Sequence, residues 1–242
     1  MNHSIKFWNG NKSPIRQHHE LELTQALLGK HYTIIEDKTD YSSAKQEGEI
    51  FLNGADLLVT VKGNTKFHGY DHIVLDQPLA QGILGKRLLV ATQEKSMHLS
   101  QLTHLDQLKA FRSGIPATWA DADLFRHNGC KVVEQGSLET MFQDLVNDEC
   151  DYFALGANEV QSLLKQYASH KQELAIVPNV MLRYPMNLVY YIHPEQGEIA
   201  NQLSQSVNQE VITSIYNKHY GDIEKSLGLS ARYTIVMENP NQ

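Results

Sequence analysis

The sequence predicts an α/β protein of two lobes, each a mainly parallel sheet flanked by helices. Three observations carry this. Short apolar, β-branched runs alternate with helix-period segments up to about residue 61; the alternation starts afresh near residue 86; and glycines punctuate the helical segments. With 242 residues, 41% of them hydrophobic, the chain can fill two cores of ordinary size.

In order, SIKFWNG reads as a strand, and residues 13–29 place Ile15, Leu21, Leu23, Ala26 and Leu27 at near-helical spacing before a glycine stop. HYTIIED is a strand, SSAKQEGEIFLNG a helix and ADLLVTV a strand. A polar, glycine-bearing loop follows. RLLVA is the next strand, LTHLDQLKAFRSG a short helix, GIPATWA a strand and ADADLFRHNG a helix with acids early, where they meet the helix dipole favourably. KVVEQG is a strand, SLETMFQDLVNDE a helix opened by Ser137 and Thr140, and CDYFAL a buried strand running into VQSLLKQYA. NLVYYI, between Pro185 and Pro194, is the last expected strand, and helices over about 197–209 and 210–221 precede a polar end.

Bulk properties exclude several classes. The net charge of −7 arises from 28 acidic and 21 basic residues scattered without blocks, so no nucleic-acid footprint is present. No apolar run approaches the roughly 18 residues that cross a bilayer, and MNHSIKFWNG lacks the apolar centre of a signal peptide. An exported protein would therefore have had its signal removed, with Met1 an added start residue. Cys130 and Cys150 form no CxxC pattern, and each opens a strand; small half-buried side chains are the leading reading and a disulfide the lesser one. His18 and Glu22, four apart, make half a metal site without a third partner. GxSxG, P-loop and Cys-His patterns are all missing, so no catalytic residue, cofactor or metal is expected.

From 48 to 221 the ordered segments GEIFLNGADLLVT, QPLAQGILGKRLLVA, the second strand-helix series, RYPMNLVYYIHP and QSVNQEVITSIYNKHYG resemble family 3 of the bacterial solute-binding proteins, the amino-acid-binding type. A poorly characterised subgroup is nearer still. Its W-x-D, N-E and L-R-Y-P motifs match Trp119 with Asp121, Asn158 with Glu159, and residues 182–185. The resemblance implies the type II periplasmic binding fold with two hinge crossings. Lobe one would be residues 1–84 plus 187–242, lobe two residues 85–186, with hinges at Gly82, Gly85 and 183–186 and a ligand between the lobes. It also implies a periplasmic location.

Two departures alter the expected ligand. The arginine that family members place after the third strand of lobe one is replaced, counting from Pro78, by Gly69, leaving Lys62 and Lys66 as nearby cations; a lysine lacks the planar fork. The ammonium-binding aspartate after the third strand of lobe two corresponds to Gly156. A free α-amino acid is therefore not the default ligand.

Each candidate ligand contact has a plainer reading beside it. Asn9, Asn11 and Ser13 follow the first strand, Arg16 enters the first helix, and Thr60 and Lys62 end the third strand, all at ends where α/β sheets bind ligands. Trp119 is read as stacking on a ligand or covering lobe two, and Asp121 as a ligand contact or a first-turn acid. Asn158 and Glu159 either start a helix or recognise a polar group beside Gly156. Arg183 braces the return hinge or meets an anion; Tyr184 lines the cleft or packs on the sheet. The expected function is a non-catalytic, monomeric binder of a small polar molecule, serving a membrane transporter or sensor. A sensory module with a degenerate pocket is the alternative, and a lyase-like enzyme a more distant one.

Overall fold

The structure, a computed structural model, describes residues 3–169 and 173–241; Met1 lies outside them. Strand β1 (His3–Trp8) buries Ile5, Phe7 and Trp8, and Pro14 opens helix α1 (Pro14–Leu28), where its fixed φ suits the first turn. β2 (Tyr32–Asp37), α2 (Ala44–Gly48), β3 (Leu57–Val61) and β4 (Ile73–Leu75) follow. Next come β5 (Lys86–Thr92), α3 (Gln93–Leu99), α4 (Leu105–Leu108), β6 (Arg112–Ile115), α5 (Asp121–His127) and β7 (Lys131–Glu134). α6 (Leu138–Val146), β8 (Tyr152–Gly156), α7 (Val160–Tyr167), β9 (Leu174–Ile176) and β10 (Val180–Arg183) continue the chain. β11 (Leu188–Ile192), α8 (Gly197–Ser206), α9 (Gln209–Tyr220), α10 (Ile223–Ser226) and β12 (Tyr233–Val236) close it.

These elements form two compact units: Met1–Gly82 with Asn187–Gly221, and Ile83–Met186 with Asp222–Gln242. The last segment corrects the expectation that residues 222–242 belong to lobe one. β12 lies parallel to β10, Val180 opposite Tyr233 and Arg183 opposite Val236, so the tail completes the second sheet and the chain passes between units a third time. The strand buries one main apolar residue, Ile235, while Tyr233 and Val236 stay exposed.

The first unit has the strand order β2-β1-β3-β11-β4. β1 runs parallel to β2 and β3, and β11 is antiparallel to β3 and β4. Trp8, Ile50, Phe51, Leu58, Phe67, Val189 and Tyr191 form a core cluster there. The expected second helix shrinks to α2 because Phe51 leaves the helical path for a turn to reach this core.

α1 packs on α9 through an unusual residue. His19 is fully buried, edge-on to His219 at 5.7 Å between ring centroids and 4.8 Å from Tyr220, and neither ring nitrogen has a hydrogen-bond partner. Burial above all, then His219 and Arg16, lowers its pKa to about 3; Glu22, which accepts from Lys218 and His219, opposes this weakly. Folded His19 thus stays neutral where the unfolded chain binds a proton. Stability is intact above the unfolded pKa of 6.5 and falls as pH drops toward 3. Denaturant titrations of wild type should lose about 2 kcal/mol between pH 7 and pH 5 from this group, and His19→Leu should remove that part of the slope.

The second unit has the order β12-β10-β5-β8-β6-β7, with β9 also on β5. β8, β6 and β7 are parallel, and β5 is antiparallel to β8, so the carboxyl ends of β6 and β8 share an edge with the start of β5. All of β8 is buried, and each large apolar side chain in it contributes on the order of 1.5–3 kcal/mol. The strand expected over GIPATWA ends earlier, at Ile115, because Pro116 lacks an N–H and Thr118 turns the chain with a φ of 71°. Ser137 and Thr140 form a reciprocal capping box at α6, as expected. Cys130 and Cys150 are free thiols and fully buried, rather than half-buried; burial raises their pKa values to about 11 and about 12. At the start of β5 the Tyr184 N–H donates to the Gly85 carbonyl, and a Cβ on Gly85 would lie 2.0 Å from the Tyr184 carbonyl oxygen. Only glycine permits that approach.

Candidate functional site

Arg87, the second residue of β5, is only 2% exposed. A buried guanidinium needs partners, and three sequence-distant segments supply them. Its Nη2 donates to Asp121 Oδ1 at 2.8 Å and approaches Met186 Sδ at 2.7 Å; Nη1 lies 3.7 Å from Glu159 Oε1. The Tyr184 ring faces the guanidinium, 5.4 Å from centroid to Cζ, and its hydroxyl donates to the same Asp121 oxygen at 2.6 Å. Asp121 begins α5, Glu159 precedes α7, and Tyr184 follows β10. The W-x-D, N-E and L-R-Y-P motifs therefore converge on one cation that none of them contains.

The electrostatics favour a fixed charge state. Burial alone would lower the Arg87 pKa, but Asp121 first, then Tyr184 and Glu159, outweigh it and hold the guanidinium protonated more firmly than usual. Burial pushes the Tyr184 phenol well above its ordinary range, so it stays a hydrogen-bond donor.

Asn158 is 2% exposed, and neither its Oδ1 nor its Nδ2 has a hydrogen-bond partner. The capping reading fails. α7 starts at Val160, the cap position is Glu159, and no side chain caps it. Leaving a buried polar group unsatisfied costs on the order of 1–3 kcal/mol, so this amide is an expensive feature. Gly156 does not leave open space either: a Cβ there would meet Asn158 Oδ1 at 2.6 Å, Leu84 Cδ1 at 2.8 Å and Glu159 Oε1 at 3.3 Å. The volume an aspartate would need is filled by the neighbouring amide and Leu84, with the Glu159 carboxylate close by.

The remaining candidates in this unit stand apart. Trp119 is half-buried in the turn after β6, and its ring packs on Phe153 of β8 at 5.8 Å. Arg183 is exposed at the end of β10, and the neighbouring Tyr184 takes the buried place. Arg87 is the residue sequence reasoning missed. An arginine inside an otherwise apolar strand, RLLVA, was the available signal, because such a residue must be paired when the strand is buried.

In the first unit the candidates bind one another. Asn9 Nδ2 donates to the Gln17 carbonyl and to Glu36 Oε1, both at 2.8 Å; Asn11 Nδ2 donates to Asn9 Oδ1 at 3.0 Å and to Glu20 Oε2 at 2.9 Å. Arg16 Nε donates to Glu20 Oε1 at 2.9 Å, while Asn11 Oδ1 accepts from the Ser13 N–H at 3.1 Å. This network ties β1, α1 and β2 together. Ser13 stands at the cap position of α1 with its hydroxyl buried and unpartnered. Thr60 Oγ1 accepts from Asn64 at 2.8 Å, Lys62 pairs with Asp76 at 2.5 Å, and Lys66 pairs with Glu47 at 2.6 Å. Both lysines that stand near the missing arginine are thus engaged with carboxylates.

These two units define the type II periplasmic binding fold. An ancestral arginine-binding protein bound to arginine is similar over 92% of this chain and 98% of its own, with 12% identity and a TM-score of 0.63. A Silicibacter pomeroyi His/Glu/Gln/Arg/opine family-binding protein in complex with lysine matches 94% and 99% of the two chains, with 16% identity and a TM-score of 0.60. The periplasmic VFT2 domain of Bordetella pertussis BvgS matches 89% and 92%, with 15% identity and a TM-score of 0.59. At such identities the likeness establishes the fold. No family model and no curated protein matches the chain. Among the described residues no helix is long and apolar enough to cross a membrane.

Proposed function

We propose that the chain is a non-catalytic, extracytoplasmic solute-binding protein, monomeric and periplasmic, that captures a small polar ligand for a membrane transporter or sensor. The observation that supports this most is the convergence of Asp121, Asn158, Glu159 and Tyr184 at the carboxyl edge of parallel strands, where α/β sheets present their ligand-binding groups. The fold shared with solved amino-acid-binding proteins supports the same reading. Asp121 is occupied by Arg87 and Tyr184, and the phenol is held protonated, so the cluster offers neither a free base nor an activated nucleophile for the lyase-like alternative.

A sensory or interaction module is the second reading. It is favoured by the closure of the first-unit candidates on one another, and by the fold it shares with the BvgS domain. Thermal-shift and calorimetric screens against amino acids, peptides, sugars, organic acids and neutral amides separate the two. A ligand at 100 times its Kd should stabilise the protein by about 2.7 kcal/mol. Silence across every class, with the protein shown to be folded, would discard the solute-binding reading and leave the interaction module.

A further inference from the structure

We infer that Asn158 reads the edge of a cis-amide, so that the ligand is an uncharged molecule with an N–H and a C=O side by side, as in a lactam, a ureide, a cyclic dipeptide or a pyrimidine base. This rests on the solute-binding reading and names its ligand class.

The argument begins with the amide itself. It is 2% exposed, and both of its polar atoms lack partners. The conclusion is therefore the same whichever atom is the nitrogen. A buried carboxamide has one donor side and one acceptor side, and groups of this kind are rarely left unmatched in a native protein. Its complement is a group with acceptor and donor in one plane, joined through two parallel hydrogen bonds. Asparagine pairs in this two-point way with the donor and acceptor edge of adenine. Arg87 Nε and Nη1, in the same cluster and also without hydrogen-bond acceptors, would suit a second carbonyl, which imides, ureides and cyclic dipeptides carry.

The charges around the amide indicate an uncharged ligand. Arg87 and the Tyr184 hydroxyl both bind Asp121, and Glu159 faces the Arg87 guanidinium. At the position where an aspartate would hold an ammonium group stands Gly156, whose side-chain volume is already taken.

Calorimetry on the full chain tests this with uracil, hydantoin, cyclo(Gly-Gly) and 2-pyrrolidinone, against 1,3-dimethyluracil, L-arginine and L-glutamate. At least one cis-amide probe should bind; if uracil is that probe, dimethylation should weaken it at least tenfold. Asn158→Leu should weaken the bound probe at least tenfold while leaving the melting temperature equal to wild type or higher, since it removes an unmatched buried amide. Binding of the charged amino acids with every amide silent would overturn the inference and leave the solute-binding reading standing. Probe binding that Asn158→Leu does not change, or a fall in melting temperature in that variant, would also overturn it by assigning the amide a structural role. Silence of these probes and of the wider screen together would remove both.

Discussion

Replacing Arg87 by methionine is expected to cost the second unit about 3–5 kcal/mol, because Asp121 would remain buried without the guanidinium that pairs with it. For a chain of this length that corresponds to a fall in melting temperature of about 10 °C. The double variant Arg87→Met with Asp121→Asn should recover a substantial part, since one orphaned carboxylate is gone. A thermodynamic cycle over the pair would then give a coupling energy above about 1 kcal/mol. Simple additivity would mean that the ion pair contributes little and that Arg87 acts through packing on Tyr184 and Met186.

Restoring the family's aspartate at Gly156 is expected to damage the protein rather than confer amino-acid binding. The Cβ alone would sit inside the contact distance of Asn158 and Leu84, a strain of about 1–3 kcal/mol, and the added carboxylate would lie close to Glu159. Gly156→Ala should show the first cost, Gly156→Asn the first plus the larger volume, and Gly156→Asp the largest loss. Urea titration of the three variants orders them. If Gly156→Asp proved as stable as wild type and bound an α-amino acid, the packing account of this edge would be wrong.

Much of the architecture was readable because period-2 and period-3.6 patterns coincide with burial, as in β8, all of it buried, and in α6 with its Ser137–Thr140 box. The elements missed are those whose pattern is too short to carry a period. β4, β9 and β10 have three or four residues, and α3 has few buried positions. The site was half legible. Asp121, Asn158, Glu159 and Tyr184 were named from motifs, but Arg87, the partner shared by Asp121, Glu159 and Tyr184, was not, because pairing across 34 or more residues is a property of the sheet order. The first-unit candidates were chosen for their places after β1, at the end of β3 and at the start of α1. What a linear reading could not show is that Asn9, Asn11, Arg16 and Glu20 satisfy one another.

The placement of β12 beside β10 also bears on how the chain acquires its structure during synthesis. Neither unit is continuous: the first waits for residues 187–221, and the second for residues 222–242. The pairing of Val180 with Tyr233 spans more than fifty residues and an entire segment of the other unit, a long loop to close before any contact rewards it. Until the tail leaves the ribosome, β10 stands as an open sheet edge carrying the apolar sequence VMLR. Residues 233–236 act as the stopper that ends this exposure.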